Sequence, residues 1–513
     1  MKEELAVKLS NNLVILSLLG FIFWGCGGGG GSDGDGFIPT GKIIAVAERS
    51  GSNVEIKVGG TEGAAPPGST VEVTNLKTGE TLTTTAESDG SFDPTFKGST
   101  SDTFVVSING TIVSDDPIGV TLISQAVKKD LAVLGSVPTA IEIQGNRAYV
   151  VNGLSNNIQV FDLGSGTPQK LGTIVVPSGP PLGKEGSDPI AIAFLNDTIA
   201  YVANLTGQSV AMLNTQTFQC ELLIIRSDLV PSDARICRDQ VVTVDPGFFE
   251  DPSDIAIANG KVYVVNSNLD DFFQPQGNGF ITVIDTDTNE VNDDIIKASG
   301  VNTSGITLIN AKLYVVNRGN TIFDADTDNF TCDSRFPPSI DVINTQSDTI
   351  VNTIDIKLNA QNPLVCSPNK VEPTPDGKFG YLGLGLVGAL LKVDLENNMV
   401  VKGPDDPIII TDDPSELNFT ADVKIRADGL GFTTLFNTDQ IAVIDTETDT
   451  VNPFPFIAPF PAGLKADNPD SQFFEGVQNI AMRSEGNFPD IFFITGLSSK
   501  LGSVNTALIL PPE

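Results

Sequence analysis

Short runs in which apolar, β-branched residues alternate with polar ones follow one another along most of this chain. Each run is bounded by Asn, Asp, Gly or Thr, the pattern of strands joined by tight turns. One run recurs: Tyr149, Tyr201, Tyr263, Tyr314 and Tyr381 are the only tyrosines, and they sit in AYVVN, AYVAN, VYVVN, LYVVN and GYLGL. The chain therefore carries an internal repeat. The repeat has a second half, 13 residues downstream, in IQVFD ending at Asp162, VAMLN at Asn214, LLKVD at Asp394 and, counted from Phe432, IAVID at Asp445. Two copies are stretched, with 22 residues from Tyr263 to Asp285 and 30 from Tyr314 to Asn344. Both halves read as strands, and no copy is long enough to form a domain alone.

A repeat of four short strands buries its faces only by stacking on its neighbours, and in an all-β chain of this period the usual solution is a propeller blade. The phrases AYVVN and ITVID, with TPDGK at 374–378, resemble the YVTN family of β-propeller repeats over residues 130 to 513. The reading is a seven-bladed β-propeller at 129–513, with second strands marked by the five tyrosines, Phe432 and Phe493. Six blades is the alternative count, because GFTTLFN and IFFITG depart most from the pattern. The last copy stops one strand short, so KDLAVLGSV at 129–137 is expected to supply the missing strand and remove an open edge.

The N-terminal part divides differently. An apolar run at 13–23 is too short for a stable membrane span and has the length of a signal-peptide core. It ends at FWGC, and residues 1–25 with Cys26 resemble a bacterial lipoprotein signal, which implies lipidation of Cys26. Phe23 and Trp24 depart from that pattern, and an ordinary cleaved signal or an uncleaved anchor is the other reading. The resemblance implies attachment to the outer membrane of a bacterial envelope, facing either the periplasm or the exterior. The Gly-rich residues 26–40 form a tether. Strand-like runs at 41–125, including NVEIKV, TVEVTNL and TFVVSI, predict a small β-sandwich. Its text resembles bacterial immunoglobulin-like and carboxypeptidase-regulatory-like modules, which implies a spacer.

Composition narrows the chemistry. There is no histidine, so a Ser-His-Asp triad, a His-ligated metal centre and covalent haem of the CxxCH type are all excluded. The chain is expected not to be an enzyme and to need no cofactor. With 64 acidic and 30 basic residues the net charge is −34, which disfavours nucleic acid as a partner. Asp324, Asp326 and Asp328 alternate in DADTDN as ligands of a calcium ion would, but Asn329 and Arg335 stand where an EF-hand loop needs Gly and Glu. The expectation is a solvated acidic loop, with calcium as the alternative. Cys220, Cys237, Cys332 and Cys366 remain after Cys26, an even number that suggests two disulfides in an exported chain. Three pairings are open, and proximity favours Cys220 with Cys237 and Cys332 with Cys366.

Insertions at 267–279 and 318–338 lie between second and third strands, and a long connection at 215–250 joins the second blade to the third. All are expected on one face, stiffened by the disulfides, as a lobe for a protein partner contacted by Asp270, Asp271, Phe272, Phe273 and Phe323. The function read from the sequence is thus a lipid-anchored binding or scaffold protein. The alternatives are a carboxylate-dependent or calcium-dependent propeller enzyme acting on a sugar or lactone, and a structural surface-layer component.

Overall fold

The computed structural model describes residues 43–504 apart from 51–52, 61–63, 89, 99–101, 114–117, 124–126, 165–166, 178–185, 239, 271–273, 325–328, 411–418, 438–439, 458–476, 484–490 and 497–498. Strands dominate, and the one helical element among the described residues is the 3-10 turn Ala234–Cys237. The signal, Cys26 and the tether lie outside the described residues.

The first eight strands are β1 (Ile43–Ser50), β2 (Asn53–Gly60), β3 (Thr70–Asn75), β4 (Thr81–Thr85), β5 (Thr95–Lys97), β6 (Thr103–Ile108), β7 (Thr111–Ile112) and β8 (Ile118–Ile123). They pair in the order β4-β3-β6-β8-β1-β2-β5, with β7 added to β6. Alternation sets the faces: Val71 and Val73 are buried while Glu72 between them is exposed. Their core holds Ile56, Val58, Phe92, Phe96 and Phe104, with the rings of Phe96 and Phe104 4.9 Å apart. The sequence reading missed β5 and β7, because elements of three and two residues are too short to show a period.

Seven sheets follow, each built on four strands, here termed a to d. The a strands are Pro138–Gln144, Pro189–Phe194, Pro252–Ala258, Thr303–Ile309, Glu372–Pro373, Thr420–Ile425 and Val477–Met482. They contact one another in succession around a ring: the first meets the second and the last, and the Thr307 hydroxyl of the fourth blade donates to the Val371 carbonyl of the fifth. The chain forms a β-propeller. In the seventh sheet strand d is β9 (Val127–Val133), which comes from the N-terminal side and pairs antiparallel with Lys500–Val504. It starts two residues earlier than the sequence suggests and ends four earlier, since Gly135 already turns into the first blade, its N–H donating to Asn152 and Gln159.

The core is distributed rather than central. Each junction between neighbouring sheets has its own apolar cluster, such as Tyr201, Ile224, Val262 and Val264 between blades two and three. The repeat tyrosines belong to these clusters, and so does Phe432 in blade six. In blade seven the tyrosine register falls on Phe492 and not on Phe493: Glu142 pairs with Tyr149 and Ala481 pairs with Phe492.

Every letter of the repeat has a physical task. The Asn that ends YVVN is fully buried in four blades and ties strand b to its surroundings. Asn266 accepts from the Glu250 N–H at 3.0 Å and donates to Thr282, and Asn317 accepts from Thr303 and donates to Ser339 and Asp341. The Asp or Asn that ends strand c caps the turn to strand d, its carboxylate or amide oxygen accepting the N–H groups two and three residues on. Asn214, Asp285, Asn344, Asp394 and Asp445 all do so. The residue four places after each cap has positive φ: Phe218, Asn289, Asp348, Asn398 and Asp449.

One placement corrects the sequence reading. Cys220 lies in strand d of blade two, Gln219–Arg226, and not in a loop. It pairs with Leu213 next to the c–d turn, whereas the b–c end of the same ladder is Ser209 opposite Ile225. The Cys220–Cys237 disulfide therefore sits at the opposite end of the sheet from the b–c insertions and does not stiffen them. It holds the 3-10 turn that leads to Val241–Val244, a fifth strand parallel to strand d.

Candidate functional sites: an anchored hairpin and a charged central cavity

The insertion of blade four folds into a hairpin, Thr321–Asp324 against Asn329–Cys332. The Cys332–Cys366 disulfide ties its base to the connection into blade five, and the Cys332 N–H donates to the Pro363 carbonyl. Below it, buried Asp333 takes two hydrogen bonds from the Arg335 guanidinium, which hold its carboxyl down at about 2. Asn320 donates to Asp333 and also to Gln274 in the blade-three insertion, so the two insertions touch. The hairpin presents Ile322 at 40% exposure and Phe323 at 51%, with Phe336 at 37% beside its base. Phe323 stacks edge-on with Phe330 across the two strands, 5.1 Å between ring centroids.

Of the residues singled out from the sequence, Phe323 is therefore on the surface of an anchored element. Asp270 lies in the blade-three insertion, where it closes a turn with Gln274 in both directions. Asp271, Phe272 and Phe273 lie outside the described residues. So do Asp326 and Asp328, while Asp324 pairs with Asn329 through the backbone. No group of three or more metal-ligating side chains occurs among the described residues.

The second site was missed. A cavity of about 240 Å3 runs into the centre of the ring, with ionisable side chains from several a strands in its wall. Lys370 pairs with Asp254 at 3.0 Å, and Lys424 lies 3.7 Å from Glu372 and 4.0 Å from Asp422. Both aspartates also bridge blades: Asp254 accepts the Ile306 N–H of blade four at 2.9 Å and Asp422 the Ile480 N–H of blade seven at 3.1 Å. Burial pushes the carboxyls of Glu142, Glu372 and Asp422 above their ordinary range, against the pull of the lysines. Burial also opposes the Lys424 ammonium, but Asp422, Glu372 and Glu142 outweigh it and hold Lys424 above its usual value.

A signal for this cavity was present in the sequence. In the a strands Ala193, Ala256 and Ala481 occupy the register opposite the repeat aromatic, and Glu142, Glu372 and Lys424 take the same register in blades one, five and six. A charge replacing alanine at this repeat position on the innermost strand needs a reason beyond packing. The insertion face opens onto this cavity, since Leu269 and Arg318 from the two insertions and Ser367 beside the disulfide belong to its wall. Leu386, Phe419 and Phe436 on that wall cluster with Cys366, and Phe330 and Cys332 of the hairpin pack on them.

No family model matches the chain, and no curated protein matches it. Among solved structures it resembles hydrazine synthase of Kuenenia stuttgartiensis at 15% identity, covering 72% of this chain and 96% of that one with a TM-score of 0.47. It also resembles virginiamycin B lyase from Staphylococcus aureus, at 13% identity, 74% and 98% coverage and a TM-score of 0.47. The WD40 repeats of RRP9 match at 8% identity, 74% and 97% coverage and a TM-score of 0.48. These likenesses concern the propeller fold alone.

Proposed function

We infer that the chain is a binding protein of the bacterial envelope: a lipoprotein held through Cys26, with residues 41–125 as an immunoglobulin-like spacer and a YVTN-type propeller that docks a protein partner. The observation that carries this reading is the blade-four hairpin. Ile322, Phe323 and Phe336 are exposed together on an element fixed by a disulfide and by the Asp333–Arg335 pair. Large side chains kept in water on a rigid support suit the centre of an interface, since little ordering remains to oppose binding. The surrounding acidity selects a partner whose pocket is apolar with a basic rim.

The test is photo-cross-linking from position 322 in intact envelopes, comparing the wild-type chain with Phe323→Ser/Phe336→Ser. A discrete adduct that the double variant loses, while its melting curve stays cooperative, supports the reading. An adduct pattern identical in both removes the hairpin as the docking element. Cys26→Ser tests the anchor, because the chain should then leave the membrane fraction.

A further inference from the structure

We propose that the central cavity binds a small monocarboxylate beside the insertions, with the carboxylate held by the Arg318 guanidinium and the Ser367 hydroxyl. The proposal is independent of the hairpin's partner.

The other cations of the cavity are already used. Lys370 pairs with Asp254, and Lys424 lies beside Glu372 and Asp422. Away from the cavity, Arg226, Arg238, Arg335 and Arg426 each hold a carboxylate. Arg318, on the cavity wall where the blade-four insertion begins, holds none among the described residues. Its side-chain hydrogen bond goes to a neutral acceptor, from Nε to the Ser367 oxygen at 3.1 Å. In a chain with 64 acidic and 30 basic residues, a partly enclosed arginine without an acid is the exception.

Its electrostatics differ in the same way. Burial opposes the charge on Arg226, Lys370 and Lys424 too, but carboxylates outweigh it and hold all three above their usual values. For Arg318 burial acts alone and brings the guanidinium down to about 10, so it stays a cation at neutral pH with its desolvation uncompensated. An anion arriving at Arg318 offsets that cost, whereas at either lysine it would compete with acids already in place. The place is also fixed in advance. Ser367 follows a cysteine of the Cys332–Cys366 bridge, and its carbonyl accepts the Gly385 N–H at 3.0 Å. Gly385 leaves room for the guanidinium, since a Cβ there would fall 2.7 Å from Nη2. With Nε on the Ser367 oxygen, the two terminal nitrogens and the Ser367 proton remain to donate, and such a planar fork matches the two oxygens of a carboxylate. Beyond Arg318 the wall carries Glu142, Asp251, Asp254 and Asp422 against Lys370 and Lys424, so a second negative charge on the ligand is unfavourable. A volume of about 240 Å3 with a mixed polar and apolar lining makes a short hydroxy acid the natural probe.

The experiment is isothermal titration of the full chain in detergent with lactate, lactamide and malate. Lactate should bind, and both the amide, which lacks the charge, and the dicarboxylate should bind at least tenfold more weakly. Arg318→Gln should weaken lactate at least tenfold, and Arg318→Lys, which keeps the charge but not the fork, should fall between it and wild type. Gly385→Ala, which crowds the guanidinium without removing it, should also weaken lactate. Melting curves check that each variant is folded, and ligand-free Arg318→Gln should melt no lower than wild type, because the charge it removes neutralises nothing in the fold. The proposal is overturned if lactate gives no heat at millimolar concentration, if lactamide or malate matches lactate, or if a folded Arg318→Gln chain retains full affinity.

Discussion

The junctions around the ring are not alike. From blade two to blade six, the tyrosine of one blade reaches the c–d turn of the next: Tyr201 donates to Asn289, Tyr263 to Asp348, Tyr314 to the Leu395 carbonyl and Tyr381 to Asp449. Lys261 and Lys392 add ion pairs to Asp348 and Asp449. At the closure the pattern lapses. Blade six has Phe432, and the blade it faces takes its outer strand from the other end of the propeller, so no c–d turn presents an acceptor there. Between blades one and two Tyr149 finds Phe218 at the turn position and packs edge-on against Phe194 instead. Four junctions therefore carry a hydroxyl with an oxygen to meet it, the closure carries none, and Tyr149 keeps its ring for packing at a junction whose turn offers no side-chain oxygen.

At the junction between blades four and five Tyr314 bonds a backbone carbonyl and not the turn side chain, and the Asn398 side-chain oxygen stays buried without a partner. The Cys332–Cys366 bridge spans it. Replacing both cysteines by serine opens a loop of 34 residues and should lower stability by about 4 kcal/mol, read as a loss of melting temperature that reduction of the wild-type chain reproduces.

A second break lies between blades one and two. Asp188 is 3% exposed, one carboxylate oxygen has no partner, and burial pushes its carboxyl up to about 7 from an ordinary 3.8. The folded state then holds this proton more tightly than the unfolded chain. Stability from this group is complete below about pH 4 and is lost as pH rises through about 7, a change of up to about 4 kcal/mol. Asp188→Asn should flatten the dependence of melting temperature on pH across that window; an unchanged slope would exclude Asp188 as its source.

The tyrosines themselves rank next. Tyr263→Phe and Tyr381→Phe each remove a bond to a carboxylate and should cost about 2 kcal/mol, while Tyr314→Phe, bonded to a carbonyl, should cost about 1 kcal/mol. Equal losses at all three in urea denaturation would show that ring packing and not the hydroxyl matters. The smallest effect is a gain. Phe218 holds φ of 56°, which favours asparagine, so Phe218→Asn should relieve strain and offer Tyr149 an oxygen, raising stability by about 1 kcal/mol.

Much of the fold was legible because repetition multiplies a weak signal: one AYVVN is a strand, and several at regular intervals are blades. The pairing of cysteines followed from proximity and holds in the structure. Their placement did not follow. QCELLIIR is an outer strand, and counting it as loop moved Cys220 to the wrong end of its sheet. The hairpin residue Phe323 was legible as an aromatic in an acidic insertion. Arg318 and Glu142 were not, since they lie 176 residues apart and each looks ordinary in its own segment.

By itself the sequence determined the local elements, the all-β class, the repeat and the chemistry that a chain without histidine must forgo. Those properties depend on alternation, turn residues and composition, which act over a few residues. Only the tertiary structure decided which tyrosine meets which turn, that the hairpin base packs on the cavity wall, and which charges in the ring remain unpaired. Such relations depend on bringing strands from distant blades within a few ångströms, and a linear pattern does not encode distance around a closed ring.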